Sequence, residues 1–338
     1  VWLAPGDERV FGAIRKQQFR PDVDGYGTFP RGTADSMQFP NYDFASHYLN
    51  IGDNRLHYLD EGPRGGEPVI MLHGNPTWSF FFRTLVTELR DKYRVIVPDH
   101  VGMGLSDKPD DTRYDYTLPS RVADLTTLLD HVEVTRDLTL VLHDWGGMIG
   151  LLYGTRYPER LRRLIILNTA GFHLPPNRRF PWQLAFCRTP LLGPLLVRGA
   201  NQFCRQAVRL CITRRPPDPE VATAYLYPYD CWRNRIAIMR FLQDIPRRPG
   251  DKIYGIVSEV ESHLRRFRDI PALICWGLRD FIFDHHFLAT WRKHLPNAKV
   301  HSFEDAGHYI LEDAGDEVAR LLRGFLEDTS GARDSMDS

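Results

Sequence analysis

The sequence has no surplus charge: 43 Lys and Arg stand against 43 Asp and Glu in 338 residues. A polyanion would meet no attractive field, so nucleic acid is not expected as a partner. Long apolar runs are missing too. Stretches such as Leu161–Leu167 fall far short of the roughly 20 residues that cross a bilayer, so no membrane span is expected. Residues 1–18 hold no continuous apolar core of the secretory kind. The first residue is Val, not Met, from which a segment removed upstream is expected. Cysteine is sparse: Cys187, Cys204, Cys211, Cys231 and Cys275 are odd in number and form no CxxC, which predicts reduced thiols and a cytoplasmic setting. There is no His-x3-His and no Cys/His cluster. His285 and His286 are adjacent, and adjacent side chains on a helix are expected to point apart. No GxGxxG follows a strand-like run. Neither a metal nor a cofactor is expected.

What is present is a rhythm. Short apolar runs at Pro68–Leu72, Tyr93–Val97, Leu138–Leu142 and Leu161–Leu167 alternate with helical spacing at 79–90, 121–131 and 148–157. Such alternation predicts an α/β fold with a mostly parallel sheet covered by helices on both faces. The rhythm then stops. Residues 169–255 are rich in Pro, Arg and aromatics with helical stretches, after which strands at Ala272–Trp276 and Lys299–Phe303 alternate with helices at 287–295 and 315–327. The chain therefore divides into an N-terminal arm (1–42), a core (43–168 and 256–327), an inserted helical cap (169–255) and a disordered tail (328–338). The cap arginines Arg178, Arg179, Arg188, Arg198, Arg205 and Arg209 form no regular stripe and read as a solvated face or a subunit contact.

The chemistry-bearing residues gather at strand ends. Leu138–Leu142 runs into His143-Asp-Trp-Gly-Gly147 and then a helix, the strand–turn–helix setting in which a sharp turn lifts one side chain above the sheet. That side chain is Asp144. Asp280 follows the strand ending at Trp276, and His308 follows the last strand, so the order is nucleophile, acid, histidine. His73-Gly-Asn-Pro76 follows the strand from which this arrangement supplies oxyanion-binding amides. Asp284 competes with Asp280 for the role of acid, but its place before a helix suits an N-cap better.

Together with Asp99-x-x-Gly-x-Gly-x-Ser-Asp107 and Trp276-Gly-x-x-Asp280, these motifs resemble the haloalkane dehalogenase family over residues 45–327, with Asn168 and Asp280 as in its third subfamily. The resemblance implies the α/β-hydrolase fold and a small hydrophobic substrate. In it, Asp144 attacks an sp3 carbon and forms an alkyl ester, and His308, oriented by Asp280, activates the water that cleaves it. Asn75 and Trp145 are the halide-binding donors of the resemblance, and Asn75 separates it from epoxide hydrolases, which commonly carry an aromatic there. Members of this subfamily associate, so a homo-oligomer is expected.

Haloalkane hydrolysis is the leading expectation. The segments Pro228–Arg235, Arg240–Pro246 and Asp280–Phe287 also resemble β-lactone decarboxylases of long-chain olefin synthesis, in which the same aspartate opens a four-membered lactone that then loses CO2. A carboxylate would then sit where the halide does. A third alternative is a non-catalytic binding protein on the same fold. Trp182, Phe186, Phe203, Trp232 and Phe241 are expected to line the roof of the substrate pocket.

Overall fold

The structure, a computed structural model, describes residues 39–176 and 178–330. Its frame is an eight-stranded sheet: β1 His47–Ile51, β2 Asn54–Glu61, β3 Pro68–Leu72, β4 Arg94–Pro98, β5 Leu138–Asp144, β6 Leu161–Thr169, β7 Ala272–Gly277 and β8 Lys299–Phe303. The spatial order is β1-β2-β4-β3-β5-β6-β7-β8. β2 pairs antiparallel with β1 and β4, and every pairing from β4 onward is parallel. The longer helices are α1 Arg83–Leu89, α2 Leu118–His131, α3 Trp145–Arg156, α4 Trp182–Cys187, α5 Gln202–Leu210, α6 Pro219–Leu226, α7 Ile236–Asp244, α8 Tyr254–His263, α9 His285–His294 and α10 Ile310–Asp328.

The inner strands are mostly apolar through their middles because both faces are covered. Their period of two divides the side chains between two cores. Val69, Met71, Val141, Ile165 and Leu273 join α1 and α10 on one face. Ile70, Leu72, Leu140, Ile166 and Ile274 join α2 and α3 on the other. Each such side chain contributes roughly 2 kcal/mol, so the strand ends are a stiff base for whatever projects from them.

Several boundaries differ from the periodicity, for local reasons. α2 starts three residues before the expected 121, because the Thr117 hydroxyl accepts from the Ser120 N–H and Pro119 sits in the first turn. α10 starts at Ile310, bends at Ala314 and ends on Asp328, the first residue of the expected tail. Packing also begins before residue 43. Phe39 meets the Trp78 ring edge-on at 5.3 Å, and the Tyr42 hydroxyl lies 2.6 Å from Ser79 Oγ. Residues 1–38 of the expected arm and 331–338 of the tail lie outside the described residues. Between β6 and β7 the chain leaves the sheet for α4 to α8, which supply a roof over the carboxyl ends of the parallel strands. No helix among the described residues is long and apolar enough to cross a membrane.

Candidate active site

Asp144 is the last residue of β5 and immediately precedes α3, with φ 50° and ψ −124°. A non-glycine residue takes this conformation at a cost in strain, and here it aims a carboxylate off the sheet edge. The crowding explains two neighbours. A Cβ on Gly146 would lie 1.9 Å from the Leu72 carbonyl oxygen, and one on Gly74 would lie 2.1 Å from Asp144 Oδ1. The Thr169 hydroxyl, from the end of β6, donates to the Asp144 carbonyl and ties the elbow down.

The two carboxylate oxygens of Asp144 are unequal. Oδ1 accepts the Asn75 backbone N–H at 2.7 Å, and the Trp145 backbone N–H also bonds the carboxylate. Oδ2 lies 3.7 Å from His308 Nε2. Burial raises the Asp144 pKa, and the neighbouring His308 charge and the two N–H groups only partly offset it. The result is a desolvated carboxylate whose Oδ1 is held by the Asn75 backbone N–H and whose Oδ2 faces His308.

His308 follows β8, and its Nδ1–H donates to Asp280 Oδ2 at 2.7 Å. Burial lowers the imidazole pKa, but the Asp280 charge and hydrogen bond, with a further contribution from Asp144, outweigh it and raise the net value. His308 Nε2 is buried without a hydrogen-bond partner. Asp280 is fully engaged: Oδ1 accepts the N–H groups of Ile282 and Phe283 at 2.7 and 3.0 Å, and Oδ2 also accepts from Asn168 Nδ2 at 3.0 Å. Asp284, the competing acid, caps α9 by accepting from the His286 N–H and lies away from His308.

Three polar residues do quieter work that motif reading did not assign. Asn168 bonds both Gly277 backbone groups, donating to its oxygen and accepting from its N–H, and so clips the end of β6 to β7 beside Asp280. His143 donates from Nε2 to the His308 carbonyl at 2.9 Å. His73 donates from Nδ1 to the Gly74 carbonyl and accepts the His100 N–H at Nε2, fixing the loop that carries Asn75; burial takes its pKa down to about 4. The side chains of Asn75 and Trp145 line the same cavity as Asp144. Asn75 Nδ2 donates one hydrogen to the Ile238 carbonyl at 3.2 Å and keeps a second, while its buried Oδ1 has no partner.

These residues open into an apolar cavity of about 930 Å3 including its mouth, lined by Asn75, Asp144 and Trp145 below and by Phe180, Leu184, Phe203, Leu242 and Ile245 above. Phe172, Phe283 and Phe287 close its sides. Of the five aromatics expected in the roof, only Phe203 lines it. Trp182, Phe186 and Trp232 are 60%, 44% and 46% exposed and face outward. Helix α4 has apolar residues on opposite sides, and the inward side belongs to Leu184. Phe241 is buried behind the cavity wall, with its ring 5.2 Å from Trp145 and the Arg121 guanidinium 3.6 Å from its centre.

The expectation that His285 and His286 diverge is not met. Their rings lie 4.0 Å apart, because His285 opens α9 and the His286 ring turns back to the Asp284 carboxylate at 3.1 Å. These three side chains gather ligand atoms within 4.8 Å of one another. Asp284 is already paired with Arg178 at 2.6 Å, and that guanidinium occupies the charge a cation would need.

Comparison with known proteins agrees with this geometry. The chain is 53% identical over 286 residues to the cis-3-alkyl-4-alkyloxetan-2-one decarboxylase of Shewanella oneidensis, covering 85% of this chain and 89% of that protein. It is 34% identical over 300 residues to a haloalkane dehalogenase of Mycolicibacterium paratuberculosis, covering 85% and 94%. Among solved structures, the haloalkane dehalogenase DatA of Agrobacterium tumefaciens superposes with a TM-score of 0.73 at 25% identity, over 84% of this chain and 97% of that one. The alpha/beta hydrolase family pattern matches residues 69–321. With its eight-stranded sheet and its elbow at Asp144, the chain belongs to the alpha/beta hydrolase family.

Proposed function

We propose that the protein is a decarboxylase of cis-3,4-dialkyl β-lactones, releasing a cis-alkene and CO2. The observation that carries this reading is the 53% identity to a decarboxylase, against 34% to a dehalogenase, over the same 85% of the chain. The leading expectation from motifs, haloalkane hydrolysis, thereby becomes the second reading, because the motif residues serve both reactions. Asp144 Oδ2 attacks the ring carbon that bears the ring oxygen, and that C–O bond breaks to leave a carboxylate on the neighbouring carbon. The bond to this carboxylate then supplies the electrons of the new C=C bond, CO2 departs, and the C–O bond to Asp144 breaks. No water and no proton enter.

Each residue has a part in that scheme. The Asn75 N–H on Oδ1 and the Trp145 N–H on the carboxylate stabilise Asp144 as it is expelled. The Asn75 amide and the Trp145 indole receive the nascent carboxylate in an otherwise apolar cavity, where an unpaired anion would be costly. His308, held by Asp280 with its pKa raised, places positive character beside Asp144. In the dehalogenase reading the same donors receive halide, and His308 instead takes a proton from the water that cleaves the ester.

The test is a paired assay on one preparation: alkene from a long-chain cis-β-lactone and bromide from 1-bromohexane, each with Asp144→Asn as control. Efficient alkene formation with sluggish bromide release is the expected outcome. Fast bromide release with intact lactone would make it a haloalkane dehalogenase.

A further inference from the structure

Nine large apolar side chains are exposed among the described residues, and all but Tyr48 lie between Leu174 and Trp232, in the segment that roofs the cavity. Leu191 is 84% exposed, Leu195 61% and Trp182 60%. Six of them, Trp182, Phe186, Leu191, Leu192, Leu195 and Trp232, lie on adjoining elements. Trp182 and Phe186 sit four residues apart on α4, on one side of that short helix. Gly193 packs so closely on the Cys187 carbonyl that a Cβ would lie 2.3 Å from it, which sets Leu191, Leu192 and Leu195 beside the end of α4. Arg198 then reaches the Trp232 carbonyl at 3.2 Å and covers its ring at 4.7 Å. Contiguous apolar exposure on this scale marks an interaction surface.

The charge of the same segment selects the occupant. From 160 to 217 there is no Asp or Glu, and between 170 and 217 there are eight arginines and no lysine, in a chain that is neutral overall. Among them, Arg178 and Arg214 pair with acids from other elements. At the cavity rim the Arg188 and Arg247 guanidinium groups flank Phe180, 5.9 and 4.9 Å from its ring centre, and Phe180 itself lines the cavity. A second copy docking symmetrically on this face would set arginine against arginine. Aromatic and leucine side chains with Arg198 over Trp232, and Arg188 and Arg247 at Phe180, match a bilayer surface with anionic headgroups.

We propose that the outer face of the cap, centred on Trp182, Phe186 and Leu191–Leu195, docks on anionic lipid bilayers and turns the cavity mouth at Phe180 toward the membrane. The surface follows from the cap alone; only its use, drawing a two-chain substrate directly from the bilayer, rests on the decarboxylase reading.

The experiment needs no substrate. The full chain is sedimented with phosphatidylcholine vesicles, with and without phosphatidylglycerol, across a salt series, beside Trp182→Ser/Phe186→Ser and Arg179→Glu/Arg247→Glu variants. The expected result is binding that requires phosphatidylglycerol, weakens with salt, and falls about tenfold or more in each double variant, while both variants keep the wild-type melting temperature. Absence of binding at low salt overturns the proposal. So does binding that both variants retain, or a dimer by light scattering that the Trp182→Ser/Phe186→Ser variant dissociates, since a second copy would then own the face. Turnover of lactone is assayed separately, so loss of that activity leaves this result intact.

Discussion

The floor and the roof of the cavity are built on opposite terms. In the floor, Asp144, His308, Asp280 and Asn168 come from the ends of four parallel strands or the loops after them, and their side chains are held by named partners, with Asp144 Oδ2 and His308 Nε2 left open to the cavity. The roof is apolar, and its helices carry large side chains both inward, as Leu184 and Phe203, and outward, as Trp182 and Phe186. A polar network tied at so many points has one low-energy arrangement, whereas apolar helices can repack at small cost. Under the proposed function, the floor sets which bond is broken and the roof sets which molecule is admitted.

The sharpest break of this contrast is Asp144→Asn, which removes the nucleophile. Alkene formation and bromide release are both expected to fall by more than about a thousandfold, with the fold kept as judged by circular dichroism. Next is His308→Ala, which separates the two chemistries. Bromide turnover should fall by about a thousandfold after one stoichiometric burst, because the ester waits for a base. Alkene formation, which needs no proton transfer, should fall far less. An equal loss in both assays would tie His308 to a step the decarboxylation scheme does not contain.

The pH profiles sharpen the same point. Hydrolysis needs neutral His308, whose pKa is raised by Asp280 and Asp144 against the opposing effect of burial, so bromide release should decline as pH drops through that raised value. Alkene formation needs only ionised Asp144, whose pKa burial lifts from the carboxylate range, and should persist to lower pH. Coincident profiles would show that one group limits both reactions. In the roof, Phe241→Ala removes the ring between Trp145 and Arg121 and should cost about 3 kcal/mol in urea unfolding. The smallest effect belongs to Trp182→Ser, within about 0.5 kcal/mol, because its side chain faces outward.

The legibility of the sequence follows the same division. Asp144, Asp280 and His308 were readable because each stands at or just after a strand whose apolar run is visible, and strand order in a parallel sheet brings such ends together. Asn168 was legible as a position but not as a clip. Its bonds to Gly277 and Asp280 cross more than a hundred residues and depend on the register of β6 against β7. The His143 bond to the His308 carbonyl is equally long-range. Helix α4 offered Trp182, Leu184 and Phe186, and aromatic size favoured the wrong two for the cavity. A short helix that is apolar on both sides has no period that names its inner face.

The sequence by itself determined the alternating strands and helices, the elbow at Asp144, and the presence there of a carboxylate, not a hydroxyl. Those are local properties: apolar runs, turn residues and the identity of one side chain. Only the tertiary structure decided that Oδ1 of Asp144 is held by the Asn75 backbone N–H while Oδ2 faces His308, that Asn168 steadies Asp280, and that Leu184 lines the cavity while Trp182 meets the outside. Each of those depends on which distant segments pack together, and packing is settled by the whole set of contacts at once.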